Sequence, residues 1–207
     1  MSFEICRDAF ETGTISLDDV LVACWSAFEE GAADKSSPWW TNTLFSAGDE
    51  GANARSVTLR AVDKSRRVLT FFSDARSAKL AEMAGRVGIV TYDPVSRVQL
   101  RAYGEATVHQ SDARTRDIWN SMTVWSRRAY LRDPAPGTLL DAPGPALPPL
   151  ADGAAPTEAN LAPAFGNFVV IDLTIGRLDW LMLTDDGNRA SRFEWSGDAV
   201  SANWVVP

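Results

Sequence analysis

Apolar and polar residues alternate over short stretches in the middle and at the end of the chain. The clearest stretch runs from Val95 to His109 and follows a short apolar run at 87–92 and a turn at Asp93-Pro94. Because successive side chains of a strand point to opposite faces, alternation predicts a long strand with one buried face. The alternating positions are Val98, Leu100 and Ala102 on one face and Gln99, Arg101 and Tyr103 on the other.

Most other apolar runs have the length and the β-branched or aromatic content of strands. Polar or glycine-containing segments separate them, namely a loop at 46–53, a charged turn at 63–67, a turn at Gly176-Arg177 and a hairpin turn at 185–188. Many short strands joined by such turns favour a closed antiparallel barrel. The predicted strands cover residues 38–45, 55–60, 68–73, 87–92, 95–109, 168–175, 178–183, 189–195 and 203–207.

Helical periodicity is confined to segments that flank these strands. Residues 15–31 place apolar residues on one side, with Ser16 in the N-cap position, Asp19 three residues later and Gly31 as a stop signal. We expect this helix to pack against the barrel. The predicted fold class is therefore mainly β with flanking helices.

Two further segments have helical character. One covers residues 111–122, with Ser111 as its N-cap, and the other adds one or two turns over 125–131. The segment from Pro134 to Pro163 differs from both, because it holds eight of the eleven prolines of the chain. This composition predicts a long irregular loop, which is typical of a lid, an arm across an interface or a mobile linker.

The length and charge of the chain narrow the possible functions. A chain of 207 residues has the size of one domain, so we expect a single domain over residues 1–207 with an irregular insertion at 134–163. The 27 acidic against 20 basic side chains give a net charge of −7, which repels nucleic acid and anionic lipid. Neither a membrane-length apolar run nor a signal peptide is evident. We expect a cytoplasmic protein without nucleic-acid or membrane partners.

Metal and disulfide chemistry have little support in the sequence. Cys6 and Cys24 are the two cysteines, and neither has metal-ligand spacing or belongs to a disulfide framework. The single histidine, His109, ends a predicted strand outside any motif. We therefore expect no bound metal and a structural role for His109.

Cations and hydroxyls concentrate between Arg55 and Lys79, in contrast to the acidic chain as a whole. Strands at 55–60 and 68–73 would pair as a hairpin, which brings Arg55 and Ser73 to the same end. Beyond Ser73, the spacing of Leu80, Met83 and Ala84 predicts a short helix with Asp74 or Ser77 as its N-cap.

That predicted helix would carry Arg76 and Lys79 in its first turn. A helix N-terminus stabilises an anion, and charge-assisted hydrogen bonds from nearby cations strengthen the site. The stretch therefore fits a phosphate site. It fits a solvated charged face equally well, and spacing alone does not separate the two.

The motifs of this stretch resemble those of the pyridoxamine 5'-phosphate oxidase-like FMN-binding split barrels. The resemblance covers residues 38–110 with specific motifs and 165–207 more loosely. The residues that carry it are Arg55-Ser56-Val57 followed by Arg60, then Phe72-Ser73-Asp74, Arg76-Ser77-Ala78-Lys79, the strand from Arg97 to Ala106, and Arg189 to Arg192-Phe193.

This resemblance implies an antiparallel FMN-binding split β-barrel of Greek-key type that acts as a homodimer, with the flavin at the dimer interface. It also implies that Gln99 contacts the polar edge of the flavin ring and that Arg192 approaches the ring from the partner subunit. The implied cofactor-binding residues are Arg55, Ser56, Val57, Thr58, Arg60, Phe72, Ser73, Arg76, Ser77, Lys79, Gln99 and Arg192.

The sequence also departs from the pattern of the family on the side of the substrate. Arg60 replaces the lysine that binds substrate phosphate, and Arg189-Ala190-Ser191 lacks the histidine of the family's Arg-x-His motif. Trp119 and Thr123 lie nearest to the positions where the family has a tyrosine and an arginine. These departures favour a branch other than the true pyridoxamine phosphate oxidases, with Arg60 and Arg189 as candidate substrate contacts.

Three functional hypotheses remain open at this point. The first is an FMN-dependent oxidase or reductase that acts on a small substrate, in which the flavin performs the chemistry and no catalytic side chain is assigned. The second is a non-catalytic FMN-binding or redox-sensing module whose substrate side is blocked, for example by the proline-rich arm. The third is a barrel that has lost flavin and binds another small anion or a partner protein.

Overall fold

The architecture was determined from a computed structural model that describes residues 3, 15–48, 51–149 and 154–207. Helix α1, Leu17–Ala33, begins with the predicted capping box, in which Ser16 Oγ accepts from the Asp19 amide at 3.1 Å. The helix continues past Gly31, so the predicted stop is wrong. Gly31 packs against the backbone of Trp39, where an added Cβ would lie 2.5 Å from the carbonyl oxygen. This glycine serves close packing rather than helix termination.

The eight strands form one antiparallel sheet in the order β3-β2-β1-β4-β5-β6-β7-β8. An additional β3–β6 pairing closes six of them into a barrel, while β7 and β8 extend from β6. The predicted mainly-β split barrel with flanking helices is confirmed. The strands are β1 Thr41–Gly48, β2 Gly51–Asp63, β3 Val68–Asp74, β4 Arg86–Asp93, β5 Val98–Gln110, β6 Phe168–Met182, β7 Arg189–Ser196 and β8 Ala199–Val205.

Strand β6 is one continuous strand, so the predicted turn at Gly176-Arg177 is wrong. Its first half pairs with β3 and its second half with β7, while β5 pairs along both halves. The pairing register shifts between Tyr103 and Gly104, where a Cβ on Gly104 would lie 1.9 Å from the Thr174 carbonyl oxygen. Because Gly104 has no side chain, β5 and β6 can approach closely and bend together. This bend lies where β6 leaves β3 and begins to pair with β7.

Two other predicted boundaries shift for local reasons. The predicted loop at 46–53 is largely strand, because β1 reaches Gly48 and β2 starts at Gly51; residues 49 and 50 lie outside the described part of the chain. Strand β5 begins at Val98 rather than Val95, because the Asp93 carboxylate accepts from the backbone amides of Val95 and Ser96. This side-chain cap holds residues 94–97 in a turn.

The other helices whose bounds lie within the described residues are short. They are a 3₁₀ helix Ala78–Ala84, α2 Ala113–Ser121, α3 Val124–Arg128, a 3₁₀ helix Ala129–Leu131, α4 Glu158–Leu161 and a 3₁₀ helix Ala162–Asn167. Asp112, not Ser111, caps α2: its carboxylate accepts from the Thr115 amide at 2.8 Å, whereas Ser111 has a φ of 56°.

The proline-rich segment is irregular in its first described part and helical at its end. Residues 132–149 and 154–157 contain neither helix nor strand, whereas the end of the predicted loop forms α4 and the 3₁₀ helix that follows it. Residues 150–153 lie outside the described part.

Two apolar clusters hold the fold together. The main core lies inside the barrel and under α1, and includes Cys24, Phe28, Phe71 and Trp180. Cys6 lies outside the described residues. A second cluster packs outside β3 and β6 and contains Trp119, Tyr130, Phe165, Phe168 and Phe72. Among the described helices, none combines the length and hydropathy needed to cross a membrane.

Candidate functional site

Arg55 lies at the end of the barrel with its guanidinium held from two sides. It stands opposite Leu44 in the β1–β2 register, so its side chain points to the same side as that core residue. Its Nη1 donates to Ser46 Oγ at 2.6 Å and its Nη2 to Glu82 Oε2 at 2.5 Å. Glu82 also accepts from Ser46 Oγ and from Asn53 Nδ2. The predicted phosphate residue is thus oriented by a carboxylate that the sequence did not reveal as a partner.

Lys79 lies close enough to Arg55 for their charges to interact. Burial lowers the pKa of Lys79, the positive charge of Arg55 lowers it further, and Asp74 acts in the opposite direction. Hydrogen bonds from Ser46 and Arg55 in turn lower the pKa of Glu82. Two cations and one ionised carboxylate therefore share this end of the barrel, which leaves a local positive charge.

Ser73 supplies the observation that best tests whether a phosphate fits here. It is buried at the end of β3, and its hydroxyl has no hydrogen-bond partner among the residues that the structure describes. A buried hydroxyl without a partner costs free energy, which a bound oxyanion would recover. A buried hydroxyl donor, together with the cations of Arg55 and Lys79 from the same segment of the chain, is the donor chemistry that a phosphate group requires.

Arg76 and Ser77 are placed differently from the prediction. Arg76 forms a bidentate pair with Asp74, at 2.9 Å from Nε and 2.7 Å from Nη2, and this pair raises the pKa of the arginine. Ser77 precedes the 3₁₀ helix but makes no side-chain capping bond. The predicted short helix is present as a 3₁₀ helix, and Ser77 is in its N-cap position. The segment brings cations to the site without the aligned amides of a longer helix.

The β2 residues divide between the two faces of the strand. Val57 is buried in the core, so only its backbone is available to a ligand, whereas Ser56 and Thr58 alternate with it and point outward. Arg60 is exposed at the bulge between Leu59 and Ala61. Its guanidinium lies 5.5 Å from the centre of the Phe72 ring.

Tyr130 belongs to the same aromatic cluster as Phe72, over which Arg60 lies. Its ring centre lies 5.0 Å from that of Phe168, which in turn contacts Phe72. Asn167 links Tyr130 to the segment after β3 through two hydrogen bonds. Its side-chain amide donates to the Tyr130 carbonyl, and its own carbonyl accepts from the Ala75 amide. Burial raises the pKa of Tyr130 to about 12, so the phenol stays protonated at neutral pH.

The remaining predicted residues lie on the outer face of β5, β6 and β7. Gln99 and Arg192 both point to this face, and Arg192 Nε donates to Asp179 at 3.0 Å. Arg189 lies apart from them at the β6–β7 hairpin, where it pairs with Asp186 at 2.8 Å. Among the described residues, no hydrogen bond or ion pair joins Gln99 or Arg192 to the group around Arg55. The predicted residues therefore form two groups that no hydrogen bond or ion pair of the described residues connects.

The sequence missed the acidic residues that orient the arginines. Glu82 follows Lys79 by three positions, and Asp179 stands between the apolar residues Leu178 and Trp180 in β6. A carboxylate between apolar residues of a strand could have indicated a buried ion pair, because a buried charge requires a partner. No sequence pattern, however, identifies which arginine that partner is.

Two clefts among the described residues lie apart from the predicted cofactor residues. Two clefts of about 480 and 450 Å³ lie between described residues, the first beside Arg67 and Tyr103 and the second beside Glu30 and Trp39. None of the predicted cofactor residues lines either cleft. Within the described ranges, no three histidine, cysteine or acidic side chains are grouped to hold a metal ion.

Comparison with known proteins identifies the kind of domain that contains these residues. Residues 23–110 match the family model described as the pyridoxamine 5'-phosphate oxidase FMN-binding domain. This range includes the segment from Arg55 to Lys79 and Gln99. A comparison with curated protein sequences gave no match.

Two solved structures share the fold over most of their length. One is a pyridoxamine 5'-phosphate oxidase-related FMN-binding protein from Nostoc punctiforme, at 20% identity and TM-score 0.66, with 89% of this chain and 95% of that chain covered. The other is PhzG from Burkholderia lata in complex with tetrahydrophenazine-1-carboxylic acid, at 17% identity and TM-score 0.67, with 91% of each chain covered. At these identities the two structures establish the split-barrel fold.

Proposed function

We propose that this chain, whose residues 23–110 match the model of the pyridoxamine 5'-phosphate oxidase FMN-binding domain, is a flavoprotein that binds FMN and acts as an oxidoreductase on a small substrate. The observation that carries the proposal is the donor set at the end of the barrel. The buried Ser73 hydroxyl lacks a partner in the described structure, and the side chains of Lys79 and Arg55 add positive charge to the same region.

In this proposal each residue of the site has a definite task. Lys79, Arg55 and Ser73 hold the phosphate, and Glu82 keeps the Arg55 guanidinium in one orientation. The backbone of Val57 and Thr58 lines the ring. The Gln99 amide can donate and accept at once, which suits the adjacent carbonyl and N–H groups of the flavin. Bound FMN would supply the hydride or electron transfer, so the protein contributes binding, orientation and charge.

A second protomer is part of the proposed site. Gln99 and Arg192 lie on the outer face of β5 and β7, apart from the group at the barrel end. A flavin can contact both groups when it lies between two copies of the chain, each of which supplies one group. The homodimer is therefore the proposed functional unit, as the closed symmetry of most oligomers allows.

The substrate side of the proposed site carries one positive charge and an aromatic surface. Arg60 lies over Phe72, and the protonated phenol of Tyr130 belongs to the same cluster. Such a surface suits an aromatic substrate with a carboxylate or phosphate group. Because PhzG was crystallised with tetrahydrophenazine-1-carboxylic acid, aromatic carboxylates are a rational first class for screening.

The position of the proline-rich segment favours the non-catalytic module as a second candidate. This segment folds back on the helical turns beside the site, because the Pro148 carbonyl accepts from Arg128 and the Ala146 carbonyl accepts from the Asp133 amide. The charge of Asp133 also contributes to the raised pKa of Arg76. An arm in this place would limit access to the flavin without preventing its binding.

The proposal is tested by the visible absorption spectrum of purified protein, recorded before and after addition of FMN and removal of the excess. We expect about one FMN per protomer in a dimer. Turnover of aromatic carboxylates with a reductant or oxygen distinguishes the enzyme from the non-catalytic module. Protein that retains no FMN at all would refute flavin binding and select the third hypothesis, another small anion or partner.

A further inference from the structure

Asp179 is the centre of an arginine cluster that spans three strands. Its carboxylate accepts from Arg177 Nε at 2.9 Å and Nη2 at 2.5 Å, and from Arg192 Nε at 3.0 Å. Arg101 Nη2 lies 3.3 Å from the same carboxylate. One acidic side chain of β6 is therefore shared by arginines of β5, β6 and β7.

The carboxylate is buried although it lies on the outer face of the sheet. Asp179 is only 3% exposed, because the three arginine side chains cover it. Burial alone would raise the pKa of Asp179, but the hydrogen bonds and charges of Arg177 and Arg192 outweigh burial and lower it. Asp179 is thus ionised at neutral pH and holds the arginines in fixed positions.

Arg192 is bound to this carboxylate in a way that leaves its outer end available. Its Nε makes the bond to Asp179, and neither terminal nitrogen donates to any residue in the described part of the protein. Three guanidinium groups around one carboxylate also leave two positive charges unneutralised by Asp179. The terminal nitrogens of Arg192 therefore remain available as donors in a cluster where three arginines face Asp179 and, beside Arg177, Glu194.

The same sheet face places Gln99 next to this cluster. Gln99, Leu181 and Ala190 form one row across β5, β6 and β7, and Arg101, Asp179 and Arg192 form the next row. Side chains directly opposite each other in antiparallel strands share a face. Gln99 and Arg192 therefore lie two strands apart, a separation of roughly 10 Å across the sheet. Asp179 fixes the position of Arg192.

We propose that Asp179 is a positioning residue for the flavin: it fixes Arg192 through Nε so that the terminal nitrogens of Arg192 meet the ring beside Gln99. This inference rests on the proposed function. It assigns to Asp179 no contact with the flavin. Asp179 acts through Arg192, while Arg101 and Arg177 keep the carboxylate buried and ionised.

A double-mutant cycle on the full-length protein tests this role, with FMN affinity measured by quenching of flavin fluorescence. We expect Asp179→Asn and Arg192→Ala each to raise the Kd for FMN about tenfold, and the double variant to bind no more weakly than Arg192→Ala. The matched control is Asp185→Asn, an exposed carboxylate that pairs with Arg97 in the same region. Its Kd should equal that of the wild type.

The outcomes separate this inference from the proposed function. Wild-type protein without FMN affinity would overturn both. A wild type that binds FMN, combined with an unchanged Kd in Asp179→Asn or with independent losses that multiply in the double variant, would overturn the positioning role alone. If Asp179→Asn does not fold, Asp179→Glu keeps the charge but displaces Arg192 by one methylene, and an unchanged Kd in that variant would equally overturn the role.

Discussion

The carboxylate of Glu82 lies 2.5 Å from the guanidinium of Arg55 and so fixes the cation at the open end of the barrel. Both side chains are largely shielded from solvent, and Ser46 bonds to each of them. This pair orients Arg55 before any ligand arrives. It also reduces the positive charge available to a phosphate, which makes the unpaired Lys79 nearby an essential part of the proposed site.

Removal of Arg55 is the first test of the proposed phosphate contact. We expect Arg55→Ala to weaken FMN binding by roughly 10- to 100-fold, because a charge-assisted hydrogen bond contributes about 1.5–3 kcal/mol. Equilibrium dialysis with FMN measures the change. Arg66→Ala is the matched control, since Arg66 is an exposed arginine in the β2–β3 turn. Equal losses in both variants would show a general effect of charge rather than a phosphate contact.

Lys79 offers a second test in which affinity and stability change in different ways. Lys79→Met keeps the length of the side chain but removes a charge whose burial is unfavourable, as its lowered pKa indicates. We expect about tenfold weaker FMN binding, together with a melting temperature of the flavin-free protein that is unchanged or higher. A melting temperature that falls while FMN affinity is retained would argue for a structural lysine.

The proposed site, shared across a dimer interface, predicts complementation between two defective variants. Arg55→Ala and Arg192→Ala remove residues that, in the proposal, serve one flavin from different protomers. In a mixture of refolded or co-expressed chains, about a quarter of the sites should regain both arginines and bind FMN. The absorbance at flavin wavelengths after gel filtration reports the fraction. No recovery in a confirmed mixed dimer would mean that both residues act within one protomer.

Gly104 is predicted to be intolerant of any side chain. Because an added Cβ would lie 1.9 Å from the Thr174 carbonyl oxygen, Gly104→Ala must push β5 and β6 apart. We expect a loss of about 3 kcal/mol in the free energy of unfolding, measured by urea denaturation. Gly166→Ala, where a Cβ meets nothing within 4 Å, should stay within about 0.5 kcal/mol of the wild type.

Asp112 predicts a stability that depends on acid pH. Its hydrogen bond from the Thr115 amide, followed by that from His109, lowers the pKa of Asp112 to about 2. A carboxylate whose pKa is lower in the folded state stabilises the fold above its unfolded pKa, near 3.9, and this contribution disappears as the pH falls to about 2. Asp112→Asn should therefore lower the melting temperature at pH 7, with a difference from the wild type that shrinks between pH 4 and 2.

Asp117→Asn is the control for that pH profile, because Asp117 lies exposed on the same helix. Its melting temperature should follow the wild type throughout. A constant difference between Asp112→Asn and the wild type down to pH 2 would show that the charge of Asp112 is not responsible.

The sequence by itself determined the elements whose signals are local. The alternation at Val98, Leu100 and Ala102 correctly predicted the buried face of β5, and Ser16 with Asp19 correctly predicted the start of α1. These features follow from the period of the strand and from bonds between residues three apart. The motifs from Arg55 to Lys79 likewise predicted the split barrel, and they lie within the residues that match the family model.

Only the tertiary structure determined which charged residues pair with each other and where the chain departs from its local sequence signals. Glu82 finds Arg55 across 27 positions, and Arg192 finds Asp179 across a strand pair; no spacing rule encodes such contacts. Gly31 was predicted to end a helix and Gly104 lay inside a predicted strand, yet both permit close approach of another segment. The same holds for the predicted turn in β6, where pairing with β3, β5 and β7 outweighs the local preference of Gly176-Arg177 for a turn, because packing energies exceed intrinsic propensities.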